Sequence, residues 1–131
     1  MLIASAVLAA MAGALHVYIF VLESVRWTHP STMRTFGVRS RDEAETTRLL
    51  AFNQGFYNLF LAVGALVGAG LVLWVPAFHQ AARALLVMTC GSMFAAAIVL
   101  ILSDRTKARA ATVQGVLPLL SLVSLALAGR G

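Results

Sequence analysis

Four stretches of about 20 mostly apolar residues constrain this chain more than any other feature of its sequence. At about 1.5 Å per residue, a helix of that length crosses the roughly 30 Å hydrocarbon core of a bilayer. The short alternating segments of a membrane β-barrel do not occur. The sequence therefore predicts an all-α fold, a bundle of four transmembrane helices at about 2–25, 49–75, 81–102 and 110–129.

Composition favours a single integral membrane domain over residues 1–131. Hydrophobic residues make up 60% of the chain and charged residues 11%, whereas soluble domains carry about 25% charged residues. The segment MLIASAVLAAMAGAL resembles a signal peptide, but it has no basic start, and the apolar run continues to Leu22. We therefore expect a retained first membrane helix.

The distribution of basic residues predicts the orientation in the membrane. The loop at about 26–48 and the loop between the third and fourth stretches hold eight basic residues, against Arg83 and Arg130 on the other side. The positive-inside rule then places these loops in the cytoplasm and both termini on the outer side. The net charge of +5 does not indicate nucleic acid, because no basic stripe with interleaved aromatic residues is present.

The long loop contains a helix-start signal of its own. Ser40 is followed three residues later by Glu43, which is the spacing of a capping box. We expect an amphipathic helix within 26–48 that leads into the second span.

Two ionisable residues, His16 and Glu23, lie in the first apolar stretch. Such residues are costly in hydrocarbon and commonly mark functional sites. The spacing i, i+4, i+7 and i+11 places His16, Phe20, Glu23 and Trp27 on one helix face. Since imidazole and carboxyl groups can both transfer protons, His16 and Glu23 are the predicted catalytic residues.

The second apolar stretch opens with a polar run, Asn53-Gln54-Gly55-Phe56-Tyr57-Asn58. Gly55 lacks a side chain and could let another helix or a ligand approach. In the fourth stretch, Gln114 lies at a similar predicted depth. A pocket in the cytoplasmic half is expected, with these ligand-binding residues: Trp27, Asn53, Gln54, Tyr57, Asn58 and Gln114.

No metal and no cofactor are expected. One His with one Glu is too few for a catalytic zinc site, and no CxxC motif or Gly-rich phosphate loop occurs. Cys90, within an apolar run, is predicted to be a core residue. Gly64 and Gly68 form a G-x-x-x-G pair, which predicts close helix packing and offers a seam for a homodimer.

These residues resemble the DUF1304 family of small bacterial membrane proteins. The matching features are His16 with Glu23 and Trp27, Phe36-Gly37, the run Asn53–Asn58 with Phe60-Leu61-Ala62, and Gln114-Gly115 with Pro118. The resemblance implies a four-helix protein of the bacterial inner membrane, with membrane lipid around it. Some members carry the label "epimerase", which no motif in this sequence explains.

Three functions remain open. The first is a membrane-embedded site that binds a lipidic or amphipathic small molecule and could isomerise or epimerise it by acid/base chemistry. The second is a small proton-coupled exporter. The third is a non-catalytic accessory subunit of a membrane complex, in which the polar residues hold helices together.

Overall fold

The computed structural model describes residues 1–129. No strand occurs in that part of the chain, so the all-α prediction is confirmed. Arg130, which entered the charge count, lies outside the described residues. The helices are α1 (Leu2–Phe20), a π-helical turn (Val21–Val25), α2 (Pro30–Phe36), α3 (Arg41–Trp74), α4 (His79–Ser103) and α5 (Ala108–Ala128).

Four helical segments are long and apolar enough to cross a membrane, as predicted, so the chain is a multi-pass membrane protein. They are Leu2–Val25, Arg41–Trp74, Pro76–Ser103 and Arg105–Ala128. The 34 residues of α3 correspond to about 50 Å of helix, some 20 Å more than the hydrocarbon core needs. One crossing therefore needs only about 20 of these residues, and the charged residues Asp42 and Glu43 stand in the first turn.

The start of α3 has the predicted cap. The Oγ of Ser40 accepts a hydrogen bond from the backbone N–H of Glu43 at 3.1 Å. The Glu43 carboxylate reaches back and accepts from the backbone N–H of Arg39 at 2.9 Å. The Ser40 bond satisfies one N–H that a helix start leaves without a partner, and the Glu43 bond fixes the chain one residue before the cap. The amphipathic lead-in is accordingly not a separate helix but the first turns of α3.

Removing this cap is expected to lower stability modestly. We expect Ser40→Ala to reduce the free energy of unfolding by about 1 kcal/mol, because the Glu43 N–H loses its acceptor. Thermal unfolding in detergent, followed by circular dichroism, measures this. Thr46→Ala is the control, since its hydroxyl bonds within the helix to the Asp42 carbonyl. A loss for Thr46→Ala as large as that for Ser40→Ala would contradict the capping role.

Helix α2 was not predicted from the sequence. Pro30 stands in its first turn, where a missing N–H costs nothing. Gly37 ends it in the left-handed conformation, with φ of 70°. The N–H groups of Gly37 and Val38 donate to the carbonyls of Arg34 and Met33 at 3.3 and 2.9 Å, which is a Schellman motif. Pro30 and Gly37 are the sequence signals that predict this helix.

The chain forms two compact units, one of His16–Phe60, the other of Met1–Leu15 with the described residues from Leu61 onward. The second unit has a core contributed by α1, α3, α4 and α5. Its buried members are Ala6, Ala9, Ala69, Val72, Ala82, Leu86, Cys90 and Leu125. Many are alanines, and small side chains let membrane helices approach closely.

Two glycines of α3 allow part of that approach. A Cβ at Gly64 would meet Cγ2 of Thr89, and a Cβ at Gly68 would lie 2.8 Å from Cδ2 of Leu86. The predicted close packing is confirmed, with α4 of the same chain as the partner. The G-x-x-x-G pair is therefore used within the chain, and homodimer formation stays a prediction.

Candidate functional site

The unit His16–Phe60 contains all but one of the predicted site residues. Its first element is the end of α1, which changes from α-helical to π-helical at Val21–Val25. The N–H of Arg26 donates to the Val21 carbonyl, five residues back, at 2.9 Å. Single π-helical turns are rare and are often found at functional sites. Glu23 lies within this turn.

Glu23 is buried, with 8% of its surface exposed. Its Oε2 accepts a hydrogen bond from Nδ2 of Asn58 on α3 at 2.7 Å. The same Asn58 nitrogen lies 3.3 Å from the Gln54 carbonyl, to which it also donates. The amide is thus held by its own helix while it contacts the carboxyl group. Two residues singled out independently from the sequence form one polar pair.

A tight contact beside this pair brings the π-helical turn against α3. The Oγ of Ser24 donates to the Phe52 carbonyl at 2.8 Å. A Cβ at Gly55 would meet Oγ of Ser24 and would lie 3.1 Å from both its Cβ and its backbone N. The prediction that Gly55 admits a neighbouring helix is therefore confirmed. Phe56 contributes an edge-to-face contact with Phe20, with ring centroids 5.1 Å apart.

The predicted position of Trp27 on the helix face of His16 and Glu23 is wrong, because the π-helical turn ends at Val25 and Trp27 lies in the following turn. Its indole N–H donates to the Ala44 carbonyl at 3.1 Å and to Oγ1 of Thr47 at 3.2 Å. Its ring packs against Phe36, with centroids 5.2 Å apart. Trp27 thus connects the turn to α2 and to the start of α3.

The remaining predicted residues differ in their surroundings. His16 is 2% exposed, on α1. Asn53, Gln54 and Tyr57 are exposed on α3, with Tyr57 at 63%. Of the polar run, Asn58 is the residue whose side chain contacts Glu23. Gln114 is half-buried on α5 and belongs to the other compact unit.

Sequence reasoning missed Ser24 and the π-helical turn. Ser24 directly follows Glu23 and is the first serine or threonine after Ser5, which is a weak signal. The π-helical turn contains no Pro or Gly, so no residue type in it predicts a departure from the α-helix. A periodicity of 3.6 residues places Trp27 on the face of His16, whereas the regular α-helix ends at Phe20.

The side chains of the Glu23–Asn58 pair are capable of proton transfer and hydrogen bonding. Glu23 can accept or donate a proton, and Asn58 can orient it. Within residues 1–129, no group of three or more His, Cys, Asp or Glu side chains could hold a metal ion.

Comparison with known proteins identifies the family to which this chain belongs. A family model described as a protein of unknown function, DUF1304, matches residues 10–126. No curated protein and no solved structure matches the chain. The family match includes the π-helical turn, the polar run of α3 and Gln114. Because it covers most of the 131 residues, the chain belongs to the DUF1304 family.

Proposed function

We propose that the unit His16–Phe60 binds a lipidic or amphipathic small molecule next to the Glu23–Asn58 pair and changes it by proton transfer, as an isomerase or epimerase does. The observation that carries this proposal is the buried carboxyl group of Glu23, held by Asn58 at 2.7 Å within a π-helical turn. Burying a carboxyl group against a neutral amide costs free energy that an apolar side chain in the same place would not cost, so packing alone does not explain Glu23.

The location of Glu23 near the end of a membrane span supports an amphipathic ligand. Glu23 lies two residues before the end of the Leu2–Val25 segment, a position at the boundary between hydrocarbon and headgroups. A ligand with a polar end and an apolar body can place its polar end there while its body stays in the membrane. We place this boundary on the cytoplasmic face of a bacterial inner membrane, because five arginines lie in residues 26–48.

His16 supplies a second proton-transfer group deeper in the same helix. It precedes Glu23 by seven residues, a rise of about 10 Å. That separation is too long for a direct hydrogen bond between the two side chains, but it is the length of a small ligand lying along the helix. In this proposal Glu23 removes a proton and His16 returns one, while Asn58 positions Glu23. Asn53, Gln54 and Tyr57 contact the part of the ligand that extends outward.

The test is a comparison of lipid extracts. A strain lacking the gene is complemented with wild type, Glu23→Gln or His16→Ala, and extracts are analysed by chiral chromatography with mass spectrometry. We expect an isomer that depends on wild type and falls about 100-fold with Glu23→Gln, the low end for loss of an acid/base group. Glu45→Gln is the matched control, because Glu45 is exposed and pairs with Arg48 at 3.4 Å.

Identical extracts with and without the gene would contradict the enzyme. If overexpression instead raises tolerance to amphipathic cations and Glu23→Gln removes that tolerance, the proton-coupled exporter is supported. If neither property changes while Glu23→Gln and Asn58→Ala both lower the melting temperature, the pair joins helices in an accessory subunit.

A further inference from the structure

A groove runs along the packed pair α4 and α5 and contains two cavities. The first, of about 190 Å³, is lined almost entirely by apolar side chains, among them Phe94, Ile98 and Val116. The second, of about 270 Å³, lies near the start of α4 and the end of α5. Its apolar wall includes Val87, Leu122 and Ala126, and one charged residue, Arg83, lies at its edge.

Arg83 is held at the end of α5. Its Nη2 donates to the Ala128 carbonyl at 3.3 Å, and a cation is favoured at a helix C-terminus. A guanidinium has five N–H donors in a fixed planar arrangement, and this hydrogen bond uses one of them. Arg83 is thereby positioned while it retains the capacity to bind an anion.

The charge of Arg83 is not matched by a nearby carboxylate on its own helices. Between residues 61 and 129 the sequence contains a single acidic residue, Asp104, at the opposite end of α4. There, Asp104 accepts hydrogen bonds from the side chain and backbone of Thr106 at 2.6 and 2.9 Å. A counter-charge for Arg83 can come from the phosphates of the membrane surface, which lie at the end of a spanning helix.

We propose that the groove between α4 and α5 binds a membrane phospholipid, with its phosphate on Arg83 and an acyl chain along Val87, Leu122 and Ala126. The two parts of the cavity match the two parts of such a lipid. Arginine forms strong, charge-assisted hydrogen bonds with phosphate, and the wall below it is apolar. Half of the hydrocarbon core, about 15 Å, corresponds to about ten residues of helix, so one acyl chain that starts at Arg83 reaches the level of Phe94, which lines the first cavity.

The experiment is native mass spectrometry of the full chain released from detergent micelles. The two probes are dioleoylphosphatidylglycerol and dioleoylglycerol, which differ in the phosphoglycerol headgroup. We expect about tenfold greater retention of the phospholipid, and about a tenfold loss with Arg83→Gln, because the variant cannot pair with phosphate. Arg83→Lys should keep most of the binding. Arg109→Gln, an exposed arginine at the start of α5, is the control for charge.

A second variant tests the acyl-chain part while leaving Arg83 intact. Ala126→Leu fills the cavity and should also lower phospholipid retention about tenfold, so the proposal stays testable if Arg83→Gln does not fold. Equal retention of the two probes overturns the proposal. So does wild-type retention by Arg83→Gln or Ala126→Leu, or a loss with Arg109→Gln as large as with Arg83→Gln.

Discussion

Trp27→Ala is expected to lower the free energy of unfolding by about 4 kcal/mol, within the range for removing a large, packed aromatic side chain. The substitution removes the ring that packs on Phe36 and the N–H that donates to Ala44 and Thr47. The turn after the π-helix then loses its connection to α2 and α3. Thermal unfolding in detergent, monitored by tryptophan fluorescence and circular dichroism, measures the change.

Trp74→Ala is the matched control for this substitution. Trp74 is 77% exposed at the end of α3, so its removal should change stability by less than about 0.5 kcal/mol. Trp27→Phe separates the two contributions, because it keeps an aromatic ring and loses the two hydrogen bonds, for an expected cost of about 1–2 kcal/mol. An equal loss of stability in Trp27→Ala and Trp74→Ala would show that the contacts of Trp27 have no special structural role.

Gly55→Ala is expected to cost about 3 kcal/mol, although alanine favours a helix over glycine by about 1 kcal/mol. The new Cβ meets Oγ of Ser24 and lies 3.1 Å from its backbone N. Overpacking costs about 1–3 kcal/mol or more, and movement of Ser24 breaks its bond to the Phe52 carbonyl, worth about 1 kcal/mol. Thermal unfolding in detergent measures the net change in the free energy of unfolding.

Gly91→Ala controls for helix propensity, because a Cβ at Gly91 would point into open space. It should be neutral or stabilising by up to about 1 kcal/mol. Ser24→Ala in the Gly55→Ala background removes the clashing hydroxyl and should recover part of the loss. Recovery stays partial because the Ser24 Cβ and N remain at 3.1 Å. A neutral Gly55→Ala would refute the close contact between the π-helical turn and α3.

The membrane spans were predictable because they depend on composition over about 20 residues, which no single contact alters. The start of α3 was predictable for a different reason. The bonds of Ser40 and Glu43 join residues within one turn, so their geometry follows from sequence spacing alone. The Schellman motif at Gly37 is local in the same sense and could have been predicted from Pro30 and Gly37.

The site was only partly predictable, because it depends on how two helices face one another. The sequence singled out Glu23 and Asn58 by their polarity, and they form a hydrogen bond across 35 positions of the chain. It predicts a ligand contact for both Tyr57 and Asn58, on neighbouring faces of α3, yet Tyr57 is 63% exposed and Asn58 faces Glu23. Polarity identifies residues that need a partner, but the direction of each side chain depends on helix rotation, which periodicity does not determine.

The π-helical turn at Val21–Val25 has a consequence for how this segment tolerates insertions and deletions. A π-helical turn closes over one residue more than an α-helical turn. Deleting one residue between Val21 and Val25 would let this segment close as an ordinary α-helix. The chain after it would keep nearly the same rotation about the helix axis, whereas the residues inside the turn would each change their angle. Glu23 and Ser24 would both lose their positions opposite α3. The number of residues in this segment, more than the identity of the valines and leucine within it, keeps the carboxyl group on Asn58.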